Sequence, residues 1–340
     1  MIQLAIIALI GLGSLLLTGW TKAVALKGNL LDVPNSRSSH QVPTPRGGGL
    51  AIVVMTLLSF QVGWIFDWIS ANVAGALAGG GIVVAVIGFL DDQSGVAARW
   101  RLLVHVLAAV WVLFWISPAY SVPIPVGDLV LGRAGAVLSA VWIIWVLNLY
   151  NFMDGIDGIA GVEAVTVSAG ATALLAYSGD YDLAYITAAI GASAVGFLFW
   201  NWPPAKIFMG DVGSGYLGFL FAVLALTAHS TSNTTLWSWL ILLGVFLVDA
   251  SLTLLRRSLR LEPIYQAHRS HAYQQAALKF DSHMPVTIAV GIINLLWLLP
   301  LSFAASRNPA WGAIFVAVAW APLLVLAIWL GAGNKEVKHC

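Results

Sequence analysis

Two adjacent carboxylates, Asp91 and Asp92, stand at the end of a long apolar run. Neighbouring carboxylates raise each other's pKa or share a cation, so this pair could transfer a proton or hold a metal ion. The alternative interpretation is a solvated helix end. Arg101 follows at the start of the next apolar run, where it could neutralise the pair, bind a phosphate, or serve only as a surface anchor.

Amides and acids recur together in the polar segment 148–158, which reads NLYNFMDGIDG and separates two apolar runs. Asp154 and Asp157 are spaced i, i+3, so a helical turn would place both carboxylates on one face. The glycines would let a ligand approach the backbone closely. A purely structural connection needs neither two acids nor the two amides, Asn148 and Asn151. We therefore interpret the segment as part of a binding site.

Two glycine-rich segments stand where further apolar runs begin. The first reads PTPRGGG at 43–49 and contains Arg46, and the second reads PPAKIFMGDVGSG at 203–215 and contains Lys206 and Asp211. A helix that starts in such a segment offers free N–H donors and the positive end of its dipole to an anion. Asp211 adds a hard oxygen ligand, so the pattern suits a phosphate bound with Mg²⁺. Gly-Asp turns are common, and either segment alone would be a weak signal.

The segment HRSH at 268–271 lies in the longest of the polar connections on its side. Its two histidines have the spacing of some zinc sites, but no third ligand is evident in the sequence. Contacts from His268, Arg269 and His271 to a pyrophosphate fit these residues equally well. Asp249, inside the preceding apolar run, is predicted to pair with a nearby arginine.

The rest of the chain is apolar enough to require a membrane. Of its 340 residues, 60% are hydrophobic and 9% are charged, and the mean hydropathy is +0.89, whereas soluble domains carry about 25% charged residues. The net charge of +1 gives no basic field for nucleic acid. The single cysteine, Cys340, excludes a disulfide framework, and the first run, 2–22, reads as a retained span rather than a cleaved signal peptide.

Eleven apolar runs are long enough to cross a hydrocarbon core about 30 Å thick. We predict an all-α polytopic membrane protein with about eleven transmembrane helices in one integral membrane domain, 1–340, and a small β-hairpin near 121–131. The predicted spans are 2–22, 47–66, 73–90, 102–117, 134–150, 159–177, 183–200, 212–228, 236–254, 284–303 and 309–331.

The basic residues set the predicted orientation. Of the sixteen Lys and Arg residues, only Arg133 and Arg307 fall outside one set of connections and their span ends, which is a strong positive-inside signal. The N-terminus is therefore predicted to be periplasmic and the C-terminus cytosolic. The second, fourth, sixth and eighth spans then begin at the cytosolic face, so their motifs would converge on a site for a polyanion and a divalent cation. The connections predicted to form this site are 23–46, 91–101, 151–158, 201–211 and 255–283.

Taken in order, these motifs resemble those of the polyprenyl-phosphate N-acetylhexosamine-1-phosphate transferase superfamily, of the MraY/WecA type. The resemblance covers nearly the whole chain and rests on PTPRGGG, the Asp91-Asp92 pair, NLYNFMDGIDG, AKIFMGDVGSG and HRSH. Within the superfamily the chain looks most like the WbpL-type enzymes that begin O-antigen and related surface glycans.

The resemblance implies an activity and a location. A Mg²⁺-dependent phosphoglycosyltransferase would move an N-acetylated sugar-1-phosphate from a UDP-sugar to undecaprenyl phosphate and release UMP. The protein would be a multi-pass protein of the bacterial inner membrane, with its active site facing the cytosol. The expected partners are UDP-N-acetylhexosamine, undecaprenyl phosphate and the bilayer, a homodimer is compatible with the resemblance, and GlcNAc, QuiNAc and FucNAc are all candidate sugars.

The resemblance also implies roles for residues. Asp91 and Asp92 match the acidic pair of the superfamily and would be catalytic, and we assign deprotonation or orientation of the lipid phosphate to Asp91. Asp211 and Asn151 would hold Mg²⁺, with Mn²⁺ as an alternative ion. Transfer in one step or through a phosphoryl-aspartate, and the choice between the two histidines, stay open. The residues that would bind or shape the substrate sites are Arg46, Arg101, Asn148, Asp154, Asp157, Lys206, His268, Arg269 and His271.

Two other classes of function compete with this interpretation. A lipid or sugar-phosphate flippase would place polar residues near the bilayer midplane, whereas the acids here lie at the cytosolic ends of bland spans. A membrane metal-dependent phosphohydrolase would use water as the acceptor, but the sequence shows no general base near a histidine-rich metal triad.

Overall fold

The computed structural model describes residues 1–28, 30–34, 42–117, 119–232, 234–262 and 268–334. Predictions for the other residues, which include parts of the connections 23–46 and 255–283, lie outside the described residues. The described chain forms two small sheets and fourteen α-helices. The strands are β1 (Leu31–Asp32), β2 (Thr44–Pro45), β3 (Ser121–Ile124) and β4 (Gly127–Val130), and the helices are α1 (Ile2–Lys27), α2 (Gly49–Ile65), α3 (Ala71–Ser94), α4 (Ala98–Trp115), α5 (Ala134–Met153), α6 (Ile159–Tyr177), α7 (Tyr181–Asn201), α8 (Asp211–Thr231), α9 (Leu236–Leu242), α10 (Gly244–Leu259), α11 (Ala272–Phe280), α12 (Met284–Ile293), α13 (Leu299–Arg307) and α14 (Gly312–Leu330).

Nine helical stretches of the described chain are long and apolar enough to cross a membrane. One of them, Met284–Arg307, combines α12, the π-helical turn Asn294–Leu298 and α13. A tenth crossing results if α9 and α10, which meet at a 79° bend, form one broken span, and α2 is apolar but has only 17 residues. The polytopic α-helical fold is thus confirmed, and each of the eleven predicted runs is helical. The predicted orientation of the termini stays a prediction.

Helix α8 lies at the centre of the bundle, and every residue from Val212 to Ala228 is buried. Glycines let neighbouring helices approach its backbone. A Cβ added to Gly88 of α3 would lie 2.5 Å from the carbonyl oxygen of Asp211, and one added to Gly218 would lie 2.8 Å from a carbonyl oxygen of α5. Small residues at contacts are typical of membrane helices, where close packing replaces the hydrophobic effect. The N-terminus of α8 is thereby held against α3.

The predicted β-hairpin is present, because β3 pairs with β4 in antiparallel register. It lies against the end of the bundle where α8 finishes and α9 begins. The Trp237 indole donates a hydrogen bond to the Pro123 carbonyl at 2.9 Å, and His229 Nε2 lies 2.7 Å from the Ser121 carbonyl oxygen. The hairpin therefore marks the end remote from the α8 N-terminus.

One predicted span and two connections differ from the sequence prediction. The run 236–254 is predicted as one span, but it forms two helices that bend by 79° next to Gly244. Glycine has a low helix propensity, and sharp bends gather at such residues. The connection 255–283 contains a further helix, α11, and the connection 91–101 begins inside α3, whose last turns hold the acidic pair.

Candidate active site

A carboxylate from a neighbouring helix caps the N-terminus of α8. Asp92, near the end of α3, accepts hydrogen bonds from the backbone N–H groups of Asp211 at 2.9 Å and Val212 at 3.1 Å, one on each oxygen. These are donors that no carbonyl of the helix can reach. Gly210, just before the helix, has a φ of +76°, and a Cβ there would lie 2.5 Å from Asp92 Oδ2. Glycine at this position leaves room for the cap.

The second acid of the pair, Asp91, is bound by an arginine from the next helix. Arg101, in the first turn of α4, donates from Nη1 to Asp91 Oδ2, and the same nitrogen lies 3.3 Å from Asp211 Oδ2. The side chains of Arg101 and Asp211 are each 32% exposed. Arg101 therefore bridges acids of α3 and α8 at a position that a ligand can reach.

The two glycine-rich segments run side by side. The Phe208 N–H donates to the Pro45 carbonyl at 2.8 Å, and the Gly49 N–H donates to the Met209 carbonyl at 2.9 Å. A Cβ added to Gly49 would lie 2.4 Å from Gly213 Cα, so the first turns of α2 and α8 touch. The predicted convergence of helix N-termini is confirmed for α2 and α8, and α4 joins them through its arginine.

The two amides of α5 have different partners. Asn151 Nδ2 donates to Ser214 Oγ, in the first turn of α8, at 3.2 Å. Asn148 Nδ2 donates to the Ile144 carbonyl at 2.7 Å and lies 3.3 Å from His105 Nδ1. Asn151 therefore belongs to the cluster at the α8 N-terminus, whereas Asn148 lies about one turn further into α5, beside α4.

After α5 the chain leaves the helical conformation, and residues 154–158 form a bend and a turn. The prediction that Asp154 and Asp157 share one face of a helical turn is therefore wrong. Burial, and then the neighbouring carboxylates of Asp211 and Asp92, raise the pKa of Asp154 to about 8. Burial is the largest cause of this rise, and the carboxylates that add to it would favour a cation at this end of the bundle.

Asp157 anchors the loop that precedes α8. Its Oδ2 accepts the Ala205 N–H at 3.0 Å and lies 3.3 Å from Nδ1 of His283, at the start of α12. The Thr287 hydroxyl donates to the Asp157 carbonyl oxygen at 2.8 Å. These contacts join three separate parts of the chain, so the Asp157 side chain holds the rim of the site together.

Two of the predicted phosphate ligands already have partners. Arg46 Nη2 lies 2.6 Å from Asp32 Oδ2, across the β1–β2 sheet, and its charge also acts on the carboxylate that caps α8. Lys206 Nζ lies 5.9 Å and 5.7 Å from the ring centroids of Phe199 and Trp200. Arg46 is therefore next to the carboxylates, whereas these contacts of Lys206 involve none of them.

The HRSH segment leads into α11. The rings of His268 and His271 stack with their centroids 4.9 Å apart, and Ser270 Oγ lies 2.9 Å from His268 Nδ1. Burial, and then the charges of His271 and Arg257, lower the pKa of His268 to about 3. The His268 ring is therefore neutral near neutral pH and can meet a phosphate only as a neutral hydrogen-bonding group.

Sequence reasoning missed the role of Asp249. The sequence predicts that Asp249 pairs with an arginine, whereas in the structure Asp249 caps α11. Its Oδ1 accepts the Ala272 N–H at 2.8 Å, its Oδ2 accepts the Tyr273 N–H at 2.9 Å, and Thr253 Oγ1 donates to Oδ1 at 3.1 Å. His271 Nδ1 lies 3.4 Å from the same Oδ1. The only sequence signal for this role is an acid inside an apolar run.

Two cavities are lined by residues of the predicted site. The first, here called the polar cavity, encloses about 550 Å³ between the loop before α8, the HRSH segment and the start of α12, and Asp157, Arg269 and Gln274 are among the residues that line it. The second, here called the apolar groove, encloses about 390 Å³ between α3, α4, α5 and α8, with Asp211 and Asn151 in its wall. The apolar groove therefore reaches the cluster at the α8 N-terminus, whereas the acids that line the polar cavity are Asp157 and Asp281.

The donor set at the α8 N-terminus fits a small, hard cation. Among the described residues, no three His, Cys, Asp or Glu side chains converge as a metal cage. Mg²⁺ does not need such a cage, because it keeps several waters and commonly takes one or two carboxylates together with substrate phosphates. Asp211 and Asn151 supply oxygen donors of that kind. The residues present therefore fit Mg²⁺ bound in part through water and a diphosphate.

The chain is similar to known proteins over most of its length. Residues 74–229 match the profile of glycosyl transferase family 4. A probable undecaprenyl-phosphate N-acetylglucosaminyl 1-phosphate transferase of Bacillus subtilis is 29% identical over 89% of this chain and 84% of its own length. A decaprenyl-phosphate N-acetylglucosaminephosphotransferase of Mycolicibacterium smegmatis is 27% identical over 95% of this chain and 88% of its own length. A phospho-N-acetylmuramoyl-pentapeptide-transferase of Lactococcus lactis subsp. cremoris is 28% identical over 72% of this chain and 75% of its own length.

The fold and the site define a polytopic helical membrane protein with a carboxylate and arginine cluster at one end of its bundle. The family profile over residues 74–229 and the named relatives support the superfamily of polyprenyl-phosphate N-acetylhexosamine-1-phosphate transferases, which the motifs of this chain resemble. Its relatives are enzymes that transfer phosphosugars.

Proposed function

We propose that the chain transfers an N-acetylated sugar-1-phosphate from a UDP-sugar to undecaprenyl phosphate. The products are a lipid-linked sugar diphosphate and UMP. The names of the relatives support a polyprenyl-phosphate acceptor and an N-acetylated phosphosugar. The observation that carries the proposal is the apolar groove that has Asp211, Asn151 and Arg101 in its wall. A separate polar cavity is lined by Asp157 and Arg269 of the predicted site.

The two cavities suit the two substrates of this reaction. The apolar groove would take the first part of the prenyl chain and bring its phosphate to Asp211, Asn151 and Arg101, which lie in its wall. The polar cavity would take the nucleotide, with Arg269 and Gln274 in reach of its polar groups. A membrane fold is needed because one substrate is a lipid, and a cavity at the end of the bundle is needed because the other is soluble.

The proposed step is a single displacement at phosphorus. A phosphate oxygen of undecaprenyl phosphate attacks the β-phosphorus of the UDP-sugar, the bond from that phosphorus to the bridging oxygen breaks, and UMP leaves with the bridging oxygen. Both substrates are anions, so the protein must mainly offset charge and fix positions. Mg²⁺ held by Asp211 and Asn151 would supply part of the positive charge.

We assign different tasks to the two acids of the pair. Asp91 would orient or deprotonate the lipid phosphate, because its partner Arg101 can turn to a phosphate when substrate binds. Asp92 has both oxygens engaged by backbone donors of α8 and would position that helix rather than transfer a proton. Arg46 and the HRSH segment would bind phosphate groups from the side of the polar cavity.

The proposed setting is the first membrane step of O-antigen or related surface glycan synthesis, as in the WbpL-type enzymes, at the cytosolic face of a bacterial inner membrane. The bacterial relatives and the distribution of basic residues support the membrane location, whereas the surface-glycan role is proposed from the resemblance of the motifs alone. GlcNAc, QuiNAc and FucNAc are the candidate sugars.

The test measures UMP release by the purified protein in detergent from UDP-GlcNAc, UDP-QuiNAc and UDP-FucNAc. Each donor is assayed with and without undecaprenyl phosphate and with and without Mg²⁺. We expect release from one donor that requires both the lipid and the metal ion. Release without lipid would support a hydrolase instead, and no release from any donor by folded protein would favour a transporter.

A further inference from the structure

A third cavity lies beside α11, apart from the carboxylate cluster. It encloses about 310 Å³ between α10, α11, α12 and α14, and we call it the slot. Its lining is apolar apart from Asp249, which caps α11, and Tyr273, whose backbone N–H donates to Asp249. Representative lining residues are Val248, Ala276, Phe280, Ala289, Leu326 and Trp329.

The slot runs along the helices and opens to the bilayer. On α12 its lining extends from Pro285 to Ile293, which at the rise of an α-helix is about 12 Å. Ala289 and Leu326 line the slot and are also exposed on the surface of the bundle. The slot therefore follows α12, which belongs to the candidate membrane span Met284–Arg307, and has an open side on the surface of the bundle.

One end of the slot carries an aromatic ring and a cation. Trp329 is 69% exposed, and Lys279 Nζ lies 4.6 Å from the centroid of its ring. Tryptophan and lysine in this arrangement are typical of the membrane–water boundary, where the ring lies at the headgroup level and the ammonium reaches water or phosphate. The same end of the bundle holds the candidate active site, because the Tyr273 hydroxyl of α11 donates to the Phe152 carbonyl at the end of α5.

We propose that the slot binds one acyl chain of an anionic bilayer phospholipid, with the lipid phosphate next to Lys279. The apolar walls suit a hydrocarbon chain, the open side admits it from the bilayer, and the ammonium at the boundary complements a negative headgroup. A zwitterionic lipid would fill the same walls but gain less from the lysine. This inference does not depend on the proposed transferase reaction.

The slot and the polar cavity share a wall. Tyr273, Ala276 and Phe280 of α11 line the slot, whereas Gln274 and Ala277 of the same helix line the polar cavity. A bound acyl chain therefore packs against the helix that bounds the polar cavity, and it stabilises that helix without contacting the soluble ligand. Lipid composition would in this way influence a site that faces water.

The test is native mass spectrometry of the purified protein after exchange into equal amounts of phosphatidylglycerol and phosphatidylcholine. We expect one phosphatidylglycerol to be retained, at about fivefold higher occupancy than phosphatidylcholine, since one lysine near a membrane surface contributes about 1 kcal/mol toward an anionic lipid. Lys279→Gln should keep a lipid but lose the preference.

Variants that plug the slot separate specific from annular lipid. Ala289→Trp should lose the retained lipid, and Leu326→Trp provides a second plug from the opposite helix in case one variant misfolds. Ile292→Trp is the matched control, because Ile292 is exposed on α12 but does not line the slot. Equal retention of both lipids by the wild type, or unchanged phosphatidylglycerol retention by both folded plug variants, would overturn the proposal.

Discussion

Helices α8 and α11 begin in the same way but in different surroundings. In each, a carboxylate from another helix accepts the first two backbone N–H groups, one on each oxygen, and the acid is Asp92 for α8 and Asp249 for α11. Asp249 is 5% exposed and also binds the Thr253 hydroxyl. Asp92 is more exposed and stands among other carboxylates.

The difference between the two caps is one of charge balance. At α11 the capping carboxylate has a histidine beside it and bonded neighbours on both oxygens. At α8 the carboxylates of Asp91, Asp154 and Asp211 lie near the capping acid, with Arg46 and Arg101 as nearby cations. A cap by itself indicates how a helix is held, whereas the excess of carboxylates beside the α8 cap is the feature on which we base the proposed cation.

The largest effect is expected from Asp211→Asn. The amide keeps the shape of the side chain but removes the charge that we assign to Mg²⁺, so turnover should fall by about 10³-fold. UMP release at saturating Mg²⁺ is the measurement, and unchanged elution of the detergent-solubilised protein is the control for folding. Turnover near that of the wild type would remove Asp211 from the metal site.

The acidic pair should respond asymmetrically. Asp91→Asn should lower kcat by about 10²-fold, as expected for loss of an acid–base group. Its loss of stability should be smaller than that of Asp92→Asn, because only one oxygen of Asp91 accepts a backbone N–H, that of Val96. Asparagine has only one acceptor oxygen in place of two, so Asp92→Asn leaves one backbone N–H of α8 without its acceptor. The variant should therefore also lower the free energy of unfolding by about 1–2 kcal/mol. Thermal unfolding and UMP release measured on both variants decide between these roles. Equal loss of stability in the two would contradict the assignment.

The equivalent change at the other cap should act mainly on stability. Asp249→Asn should lower the free energy of unfolding by about 2 kcal/mol, because a buried N–H of α11 loses its acceptor. Activity should fall by less than about tenfold, since this acid touches neither the cluster nor a substrate. Asp128→Asn in the exposed β-hairpin is the control. A loss of turnover as large as that of Asp211→Asn would place Asp249 in the reaction.

The smallest effect is a pH dependence at His268. Its pKa is lowered to about 3 in the folded chain, against about 6.5 when unfolded. The unfolded chain therefore binds this proton first, and stability is lost as the pH falls from about 6.5 toward 3. His268→Gln should make unfolding temperatures less sensitive to pH across that window. An unchanged slope between pH 7 and pH 4.5 would show that His268 does not titrate this way.

Much of the fold could be predicted because hydropathy and turn chemistry are local properties. The apolar runs, the β-hairpin and the start of α8 at Asp211 all follow from residues that are close in the sequence. The convergence of the two glycine-rich segments also follows, because each is assigned to the start of a helix that begins at the same face of the membrane.

The remaining features depend on partners that are distant in the sequence. Asp92 caps a helix that begins 119 residues later, and no pattern near Asp92 distinguishes a cap from a catalytic acid. The i, i+3 spacing of Asp154 and Asp157 is compatible with a helical turn. This spacing does not take into account the glycines that follow the end of α5. The bend beside Gly244 packs against α14 and the π-helical turn. Because these elements are distant in the sequence, the run 236–254 alone does not predict the bend.

The central claim is that the cluster at the α8 N-terminus transfers a sugar phosphate to a polyprenyl phosphate. The most direct test supplies a UDP-sugar labelled in the β-phosphate and follows the label after extraction with organic solvent. The account predicts that the label enters the lipid phase only with undecaprenyl phosphate and Mg²⁺, that UMP stays in water, and that Asp211→Asn transfers almost none. Label that stays in water while the UDP-sugar is consumed would contradict the account.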